Sequence, residues 1–406
     1  MSTRRIITKY GGRQVLAVFS ENLLTDFQIL PQEEQMQVGD IYMCRVKNVV
    51  KNIRAAFVEI GKGDNAYLSL QEKEPPVYGA GGKMRENGGI CQGELLLVQM
   101  AKEAQKSKPP TVTTRLDIPG KYVVLTHGRC QTAVSSKISD AGERERLCGI
   151  LKEYENDSYG FIARTCSQNV SVERLRKDIE TLQETYAQII KTGSHAVQGQ
   201  KIYSALPVYV QQIQNRYGEL EDAVVTDIPE VYETLKTYFS ENEPQFAERL
   251  SLHTDAYPLI KLHSLETQIE KLLREKVWLK SGGFLVIQPT EALVSVDVNT
   301  GKAVSGKKST EDTYFHINME AATEIARQLR LRNLSGIILV DFIDMKEESH
   351  RQELLGALKK ELQKDSVKTV LVDMTKLGLV EITRKKLRSP IHEVFRSVPG
   401  IFAKNA

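Results

Sequence analysis

Apolar strand-like segments alternate with helix-like segments from residue 283 onward, and this alternation restricts the possible fold more than any other feature of the chain. The segments FLVI, LVSVDV, GIILVDF and TVLVDM predict strands, and helices are predicted over about 316–333 and about 348–364. Strands that alternate with helices are typical of an α/β domain, in which helices cover a sheet. We therefore predict an α/β domain with a mixed sheet for this part of the chain.

The rest of the chain follows other patterns, and its length calls for more than one core. Residues 1–120 predict short strands with turns, whereas 172–191 and 259–280 have the apolar spacing of amphipathic helices. A chain of 406 residues with 41% hydrophobic residues is long enough for about two to four domains. The expected fold class is therefore multidomain, α/β together with α+β.

Charge, hydropathy and cysteine usage exclude several classes of protein. The net charge is only +3, so a surface for nucleic acid would have to be a local patch. The start MSTRRIITKYGG lacks the apolar core of a signal peptide, and no apolar run reaches the roughly 20 residues of a membrane span. The five cysteines are scattered, at Cys44, Cys91, Cys130, Cys148 and Cys166. We expect a cytoplasmic protein with reduced thiols and no membrane association.

Two aromatic residues fall on polar faces of neighbouring predicted strands within 38–70. Alternation places Phe57 opposite Val58, and Tyr67 opposite Leu68. Exposed rings beside cations stack the bases of single-stranded RNA, while the cations follow the phosphates. The nearby cations are Lys47, Lys51 and Arg54. The alternative is that both rings pack under a loop or against another domain, and alternation alone does not separate the two.

Oxygen-bearing side chains end two of the apolar strands in the predicted α/β domain. In LVSVDVNTG, alternation places Asp297 and Asn299 on one face near the strand's end, and GIILVD ends in Asp341. Sites in α/β sheets favour the carboxyl ends of strands, and Mg²⁺ binds a few carboxylate or amide oxygens while keeping waters. The pattern indicates a hard-cation site. The alternative is an Asx turn into Gly301 and a helix cap at Asp341.

A third set of residues lies between 115 and 170. The segment PGKYVVL contains Gly120 and Val124, and YGFIARTCS contains Arg164 and Thr165. A guanidinium binds phosphate through paired hydrogen bonds, and a threonine hydroxyl adds another. An isolated Arg-Thr pair is more typical of a structural surface arginine, so the residues by themselves assign no role.

The sequence resembles the bacterial ribonuclease E/G family from about residue 10 to 395. Its stretches VDVNTGKAVSGKKSTEDTYFHINMEAATEIARQLRLRNLSGIILVDFIDM and GLVEITRKKLRSP are similar to the signatures of that family. The resemblance implies that Asp297, Asn299 and Asp341 are catalytic and hold Mg²⁺ in a DNase I-like domain. Asp341 is preferred to Asp344 because the family's ligand is the first Asp of the D-F-I-D motif.

The resemblance also assigns the other two patterns. The run from Gly39 to Leu68 is similar to an RNA-binding OB fold of the S1 type, whose RNA-contacting aromatics fall on Phe57 and Tyr67. Lys102 and Lys108, in the basic segment KEAQKSKPP, complete the expected RNA-binding residues. The segment GFIART resembles the family's 5′-sensor motif, which binds the terminal monophosphate of RNA. The sensor residues implied are Gly120, Val124, Arg164 and Thr165.

The resemblance implies four parts and one departure from the family. A ribonuclease H-like subdomain would be split between 1–36 and 209–272, with the OB domain at 37–114, the 5′-sensor region at 115–208, the DNase I-like domain at 273–396 and a tail at 397–406. The family continues into a cysteine motif, through which two subunits share Zn²⁺, and a small dimerisation domain. No cysteine follows Cys166 here. We therefore expect no zinc, and any homodimer to form without a zinc link.

The function expected from the resemblance is a Mg²⁺-dependent endoribonuclease. It would cut single-stranded, A/U-rich RNA by metal-activated water, leave 5′-phosphate ends, and be stimulated by 5′-monophosphate ends of the substrate. Its expected partners are ribosomal RNA precursors and mRNA, in rRNA processing and RNA degradation. The alternative is a non-cleaving RNA-binding protein that retains the family fold. A DNA phosphodiesterase is less favoured, because the OB and sensor segments suit RNA.

Overall fold

The computed structural model describes residues 3–31, 36–61, 63–71, 74–79, 89–104, 108–128, 131–214, 223–302 and 309–396. Cys130 and the expected tail at 397–406 lie outside these residues. The described strands are β1 (Thr3–Tyr10), β2 (Arg13–Ser20), β3 (Leu23–Ile29), β4 (Ile41–Val50), β5 (Ala55–Gly61), β6 (Asp64–Ser69), β7 (Leu95–Lys102), β8 (Thr111–Thr113), β9 (Asp117–Pro119), β10 (Val123–His127), β11 (Ala133–Val134), β12 (Tyr159–Ala163), β13 (Lys201–Tyr203), β14 (Ala223–Thr226), β15 (Leu250–Leu252), β16 (Lys276–Trp278), β17 (Phe284–Pro289), β18 (Leu293–Asn299), β19 (Gly336–Asp341), β20 (Thr369–Met374) and β21 (Val380–Arg384).

The helices of the same residues are α1 (Ala141–Lys152), α2 (Val172–Ser194), α3 (Val208–Gln214), α4 (Pro229–Asn242), α5 (Leu259–Leu262), α6 (Leu265–Leu272), α7 (Thr310–Leu331), α8 (Glu348–Leu362) and α9 (Ile391–Arg396). Among the described residues, no helix is both long enough and apolar enough to cross a bilayer. The chain forms two compact units, one from Met1–Gln32 with Glu219–Ala406 and one from Glu33–Gly218. The protein is therefore a mixed α/β protein with several sheets.

The unit of Glu33–Gly218 contains a closed barrel. Strand β4 pairs with β5, β5 with β6, β6 with β8, β8 with β7, and β7 returns to β4. This is a five-stranded barrel of the OB type. Alternation sends Val58 and Leu68 into its core and leaves Phe57 and Tyr67 partly exposed. The predicted strand faces in this segment are confirmed.

A second sheet in the same unit has the order β11-β12-β10-β9. Helix α2 packs against it through side chains spaced three or four residues apart, among them Leu175, Ile179 and Leu182. Such spacing puts the apolar side chains on one helix face. The helix predicted over 172–191 is confirmed, and the structure extends it to Ser194.

The unit of Met1–Gln32 and Glu219–Ala406 contains two sheets. The first sheet has the strand order β15-β14-β1-β2-β3. Strand β1 pairs in parallel with β14, so the N-terminal strands join strands from much later in the chain. Its core includes Ile6, Val15 and Phe27, together with Leu265 and Ile269 of α6. The assignment of this region to a ribonuclease H-like subdomain stays a prediction.

The second sheet of this unit has the order β16-β17-β18-β19-β21-β20, with β18 and β19 parallel. This is the predicted mixed sheet. Its buried face packs against helices α7 and α8, through residues such as Val296, Ile338 and Ile325. The opposite face is open, since Ile337 is 53% exposed. The apolar strand GIILVD is therefore buried on only one of its two faces.

Two helix predictions in this unit need correction. The helix predicted over 259–280 is interrupted at Ser264, whose left-handed backbone (φ 51°) separates α5 from α6, and the chain has changed to strand by Lys276. Helix α7 begins at Thr310, not near 316, because the hydroxyl of Ser309 caps it by accepting a hydrogen bond from the Asp312 amide at 3.0 Å.

Candidate functional site

Two carboxylates meet at the ends of adjacent parallel strands. In the register of β18 and β19, Asp297 lies directly beside Asp341. Directly paired residues point to the same face of a sheet, and here that face is the open one, with both side chains exposed. The predicted proximity of the two strand ends is confirmed. The site lies at the carboxyl ends of the strands, where ligands of α/β sheets commonly bind.

Asn299 and Asp344 complete the polar surroundings of the two carboxylates. The Nδ2 of Asn299 donates a hydrogen bond to Oδ2 of Asp297 at 2.6 Å, so the Asn299 carboxamide lies against that carboxylate. Burial raises the pKa of Asp341, and the negative charges of Asp297 and Asp344 raise it further. Three carboxylates that repel one another in this way would be stabilised by a bound cation.

The donor set fits a small hard cation. Its members are carboxylate and amide oxygens, with no nitrogen or sulfur ligand among them. No group of three or more His, Cys, Asp or Glu side chains that could hold a metal by itself occurs in the described part of the chain. Hard cations of this kind take carboxylate and amide oxygens as ligands, and water can fill their remaining positions.

Helix α7 holds the loop that follows Asp341. The carboxamide of Asn318, which is fully buried, donates from Nδ2 to the Ile343 carbonyl at 2.8 Å and accepts at Oδ1 from the Ile343 amide at 3.1 Å. Glu311 accepts from the amides of Lys346 and Glu347 at 2.9 and 3.1 Å. Helix α7 therefore fixes the backbone at Ile343, between Asp341 and Asp344, and again just after Asp344.

The same helix also holds the loop beside Asn299. Glu320 accepts hydrogen bonds from the amides of Lys280 and Ser281, at 2.5 and 3.1 Å. The adjoining Gly282 packs so closely against Gly301, whose φ is +53°, that a Cβ at Gly301 would overlap the Gly282 carbonyl. The patterns in the sequence did not predict these contacts. The one feature that could have indicated them is Asn318, a polar residue among the apolar positions of a predicted helix.

We expect Asn318→Ala to lower the rate constant of the RNA cleavage that the sequence predicts about tenfold without weakening RNA binding, because Ile343, which lies between Asp341 and Asp344, loses both of its hydrogen bonds to α7. The free energy of unfolding should fall by about 1–3 kcal/mol, since two backbone groups lose their partners. The measurements are single-turnover cleavage, RNA titration and thermal unfolding. Thr323→Ala, on the exposed side of α7, is the matched control. A fall in stability with unchanged cleavage would show that Asn318 is only structural.

The barrel carries the predicted aromatic pair. Phe57 and Tyr67 face each other across β5 and β6, with ring centroids 6.2 Å apart in an edge-to-face arrangement. Both are partly exposed. Within the barrel, the two rings therefore form one continuous aromatic surface.

The cations near this pair differ in how they are held. Lys102 is exposed, and it pairs with Thr111 across β7 and β8. Thr111 pairs in turn with Tyr67 of β6, so Lys102 lies two strands from the Tyr67 ring. Lys108 and Lys51 are exposed as well. Lys47 is engaged by an ion pair with Glu59. The structure thus places exposed positive charge beside the aromatic surface.

The third predicted set is brought together in the second sheet of the same unit. The Nη1 of Arg164 donates to the Gly120 carbonyl at 2.5 Å, and the Thr165 hydroxyl lies 2.9 Å from that of Ser135. Val124 pairs with Ile162, two residues before Arg164. The Nε and Nη2 of Arg164 have no hydrogen-bond partner among the described residues. The four predicted residues thus lie on adjoining parts of the sheet, and the Arg164 guanidinium uses its Nη1 for hydrogen bonds to the Gly120 and Lys121 carbonyls.

An acidic residue shapes the backbone beside Arg164. Asp178 of α2 accepts hydrogen bonds from the amides of Lys121, Tyr122 and Val123, at 3.1, 2.7 and 3.0 Å. A Cβ at Gly120 would lie 2.7 Å from Asp178 Oδ2, so only glycine fits this turn. The carbonyl of Gly120 in this turn accepts the hydrogen bond that orients Arg164.

Comparison with known proteins agrees with the geometry. The model of the ribonuclease E/G family matches residues 117–387. Ribonuclease G of Escherichia coli K12 is 35% identical over 402 residues, which cover 97% of this chain and 82% of the relative. Ribonuclease G of Haemophilus influenzae is 32% identical over 93% of this chain and 78% of its own length. Ribonuclease E of Nostoc sp. is 31% identical over 94% of this chain and 56% of its own length.

Paired carboxylates at the strand ends of a mixed sheet, in a chain that also carries an OB-type barrel, define a class of multidomain proteins with a candidate metal centre. The family model and the relatives specify that class further. The chain belongs to the ribonuclease E/G family.

Proposed function

We propose that the protein is an endoribonuclease that hydrolyses internal phosphodiester bonds of single-stranded RNA with Mg²⁺. The observation that carries this proposal is the strand register that sets Asp297 beside Asp341, with Asn299 hydrogen-bonded to Asp297. Membership of the ribonuclease E/G family supports RNA as the substrate.

Asp297, Asp341 and the Oδ1 of Asn299 would hold the ion. A Mg²⁺ bound there supplies an activated water and neutralises charge on the phosphodiester. Asn299 also orients the Asp297 carboxylate through the 2.6 Å hydrogen bond. In the hydrolysis, the water oxygen forms a bond to phosphorus and the bond between phosphorus and O3′ breaks. The O3′ takes up a proton, so the products carry a 5′-phosphate and a 3′-hydroxyl.

The unit of Glu33–Gly218 would supply the RNA contacts. Phe57 and Tyr67 would stack unpaired bases, and Lys102 and Lys108 would bind phosphates, because stacking together with exposed cations is how OB folds bind single strands. The Arg164 guanidinium suits a terminal phosphate. We therefore include stimulation by 5′-monophosphate ends in the proposal, with Gly120, Val124 and Thr165 lining the pocket.

The remaining parts of the proposal follow from the family alone. They are a preference for A/U-rich sequences, a place in rRNA processing and mRNA decay, and a cytoplasmic location. The OB, sensor, split ribonuclease H-like and DNase I-like assignments also belong here. A homodimer is compatible with the proposal.

The decisive experiment is cleavage of a 5′-monophosphorylated single-stranded RNA. With Mg²⁺ we expect internal cuts that leave 5′-phosphates. With a chelator we expect none, because the proposed mechanism needs the bound ion to activate the water. Equal cleavage with and without chelator would contradict a metal site at Asp297 and Asp341. RNA binding with no cleavage at any Mg²⁺ concentration would favour the alternative, a non-cleaving RNA-binding protein.

A further inference from the structure

Two aromatic side chains lie on the same sheet face as the acidic residues. Across the ladder, Trp278 of β16 pairs with Phe284 of β17, and Phe284 pairs with Asn299 of β18. In the adjacent row, Lys276 pairs with Val286, which pairs with Asp297. Directly paired residues project to the same side of a sheet. The open face therefore carries an aromatic row and a cation beside the acidic residues.

The two rings and the cation contact one another. The ring centroids of Trp278 and Phe284 are 5.3 Å apart and inclined by 60°. The Nζ of Lys276 lies 4.3 Å from the Trp278 centroid and 3.6 Å from that of Phe284. Cation–π contacts of this kind attract an ammonium to the ring faces and hold it in place. Lys276 thus lies two strands from Asp297, on the same face of the sheet.

Trp278 is exposed although the same strand sends apolar side chains inward. Val277 packs against the core on the side of helices α7 and α8, and Leu279 is buried there, whereas Trp278 is 61% exposed on the other face. A solvent-exposed tryptophan on an open face, next to a second ring, is a feature that marks binding surfaces. The exposed indole therefore points to a ligand with a flat apolar face.

The distance from this pair to the acidic residues suits a nucleic acid strand. Neighbouring strands lie about 4.8 Å apart, so the backbone of Trp278 is roughly 10 Å from that of Asn299. A phosphodiester bound through a cation at Asp297 and Asp341 would place an adjoining nucleotide over this part of the sheet. A base in a duplex cannot reach an indole, whereas an unpaired base can stack on it.

We propose that Trp278, Phe284 and Lys276 form a nucleotide-binding subsite beside the acidic residues. An unpaired base stacks on Trp278, and Lys276 binds the phosphate next to that base. The subsite rests on the proposed endoribonuclease function and deepens it, since it selects single-stranded RNA next to the cleaved bond. Because any base has a flat face, the selection is for an unpaired base and not for one sequence.

Fluorescence tests the subsite directly, since Trp278 is the single tryptophan of the chain. A long single-stranded RNA is titrated into the full-length protein in chelator, with anisotropy of the labelled RNA recording total binding. We expect the emission to be quenched and to saturate together with the anisotropy. A fully bound RNA that leaves the emission unchanged would overturn the subsite.

Kinetics of three variants provide the second measurement. With Mg²⁺, Trp278→Ala should raise KM at least about 5-fold, the lower end of what one stacked base contributes, and Trp278→Tyr should restore most of the loss. Tyr257→Ala is the control, because Tyr257 is a similarly exposed aromatic (57%) of the same unit. An unchanged KM in Trp278→Ala would count against the subsite.

These outcomes separate the subsite from the function on which it rests. Quenching without any cleavage would reject the endoribonuclease and keep a nucleotide-binding surface. Cleavage with neither quenching nor a change in KM would reject the subsite and keep the enzyme. If the exposed rings instead mediate self-association, Trp278→Ala should lower the mass of the assembly measured by light scattering and leave KM unchanged. That result would also reject the subsite.

Discussion

The variants Asp297→Ala and Asp341→Ala are each expected to lose cleavage by roughly 10³-fold or more, because each removes a ligand oxygen from a centre that contributes several kcal/mol to catalysis. RNA affinity should change little. The cations and aromatic rings that we expect to bind RNA lie mainly in the barrel, and they remain in place. The measurements are single-turnover cleavage at saturating protein and an anisotropy titration with the same RNA.

The matched control is Glu291→Ala, an exposed carboxylate in the turn between β17 and β18. It removes the same charge from the other end of the strand that carries Asp297, so general electrostatic effects are held constant. Asp344→Ala tests the choice between the two aspartates of D-F-I-D and should be less severe than Asp341→Ala. Near-normal cleavage in either Asp297→Ala or Asp341→Ala would show that the metal is bound elsewhere.

Arg164→Ala is expected to remove the preference for 5′-monophosphate over 5′-triphosphate or 5′-hydroxyl ends, while internal sites of long RNA are still cut. A hydrogen bond to a charged group contributes about 1.5–3 kcal/mol, so the preference should fall roughly 10- to 100-fold. Arg164→Lys should recover only part of it, because an ammonium lacks the two-pronged geometry of a guanidinium. Competition between RNAs that differ only in the 5′ end measures the effect.

Arg176→Ala is the control for the sensor experiment. Arg176 lies in the same unit, and its exposed guanidinium pairs with Glu153 at 3.3 Å, so the variant loses the same charge away from Gly120. Equal cleavage of all three end types by the unmodified protein would show that the pocket is no sensor. A preference that survives Arg164→Ala would assign the terminal phosphate to other residues.

Short-range patterns predicted the strands and their faces well. The side chains of Phe57 and Val58 alternate as a period of two requires, and Asp297 lies beside Asp341 because both end parallel neighbours. The apolar spacing that predicted one helix over 259–280 was misleading, because it contains no information on the left-handed backbone at Ser264. Tertiary contacts decided that point.

That local error concealed one feature of the candidate site, and long-range packing concealed another. Trp278 was assigned to a helix, so its row with Phe284 and Asn299 could not be seen until strand β16 was known. The contacts of Asn318 with Ile343 join residues that are far apart in the sequence. Such long-range contacts depend on how the sheets and helices pack. The periodicity of a single sequence cannot predict them.

The parallel pairing of β1 with β14 has a consequence for synthesis on the ribosome. The first three strands emerge early, yet the edge of β1 that receives β14 stays unpaired until the chain has been extended by the whole unit of Glu33–Gly218. At about 5–20 residues per second this delay is roughly 10–40 s. An open strand edge invites pairing with other nascent chains. A chaperone bound to the N-terminal strands would cover that edge until β14 has been synthesised.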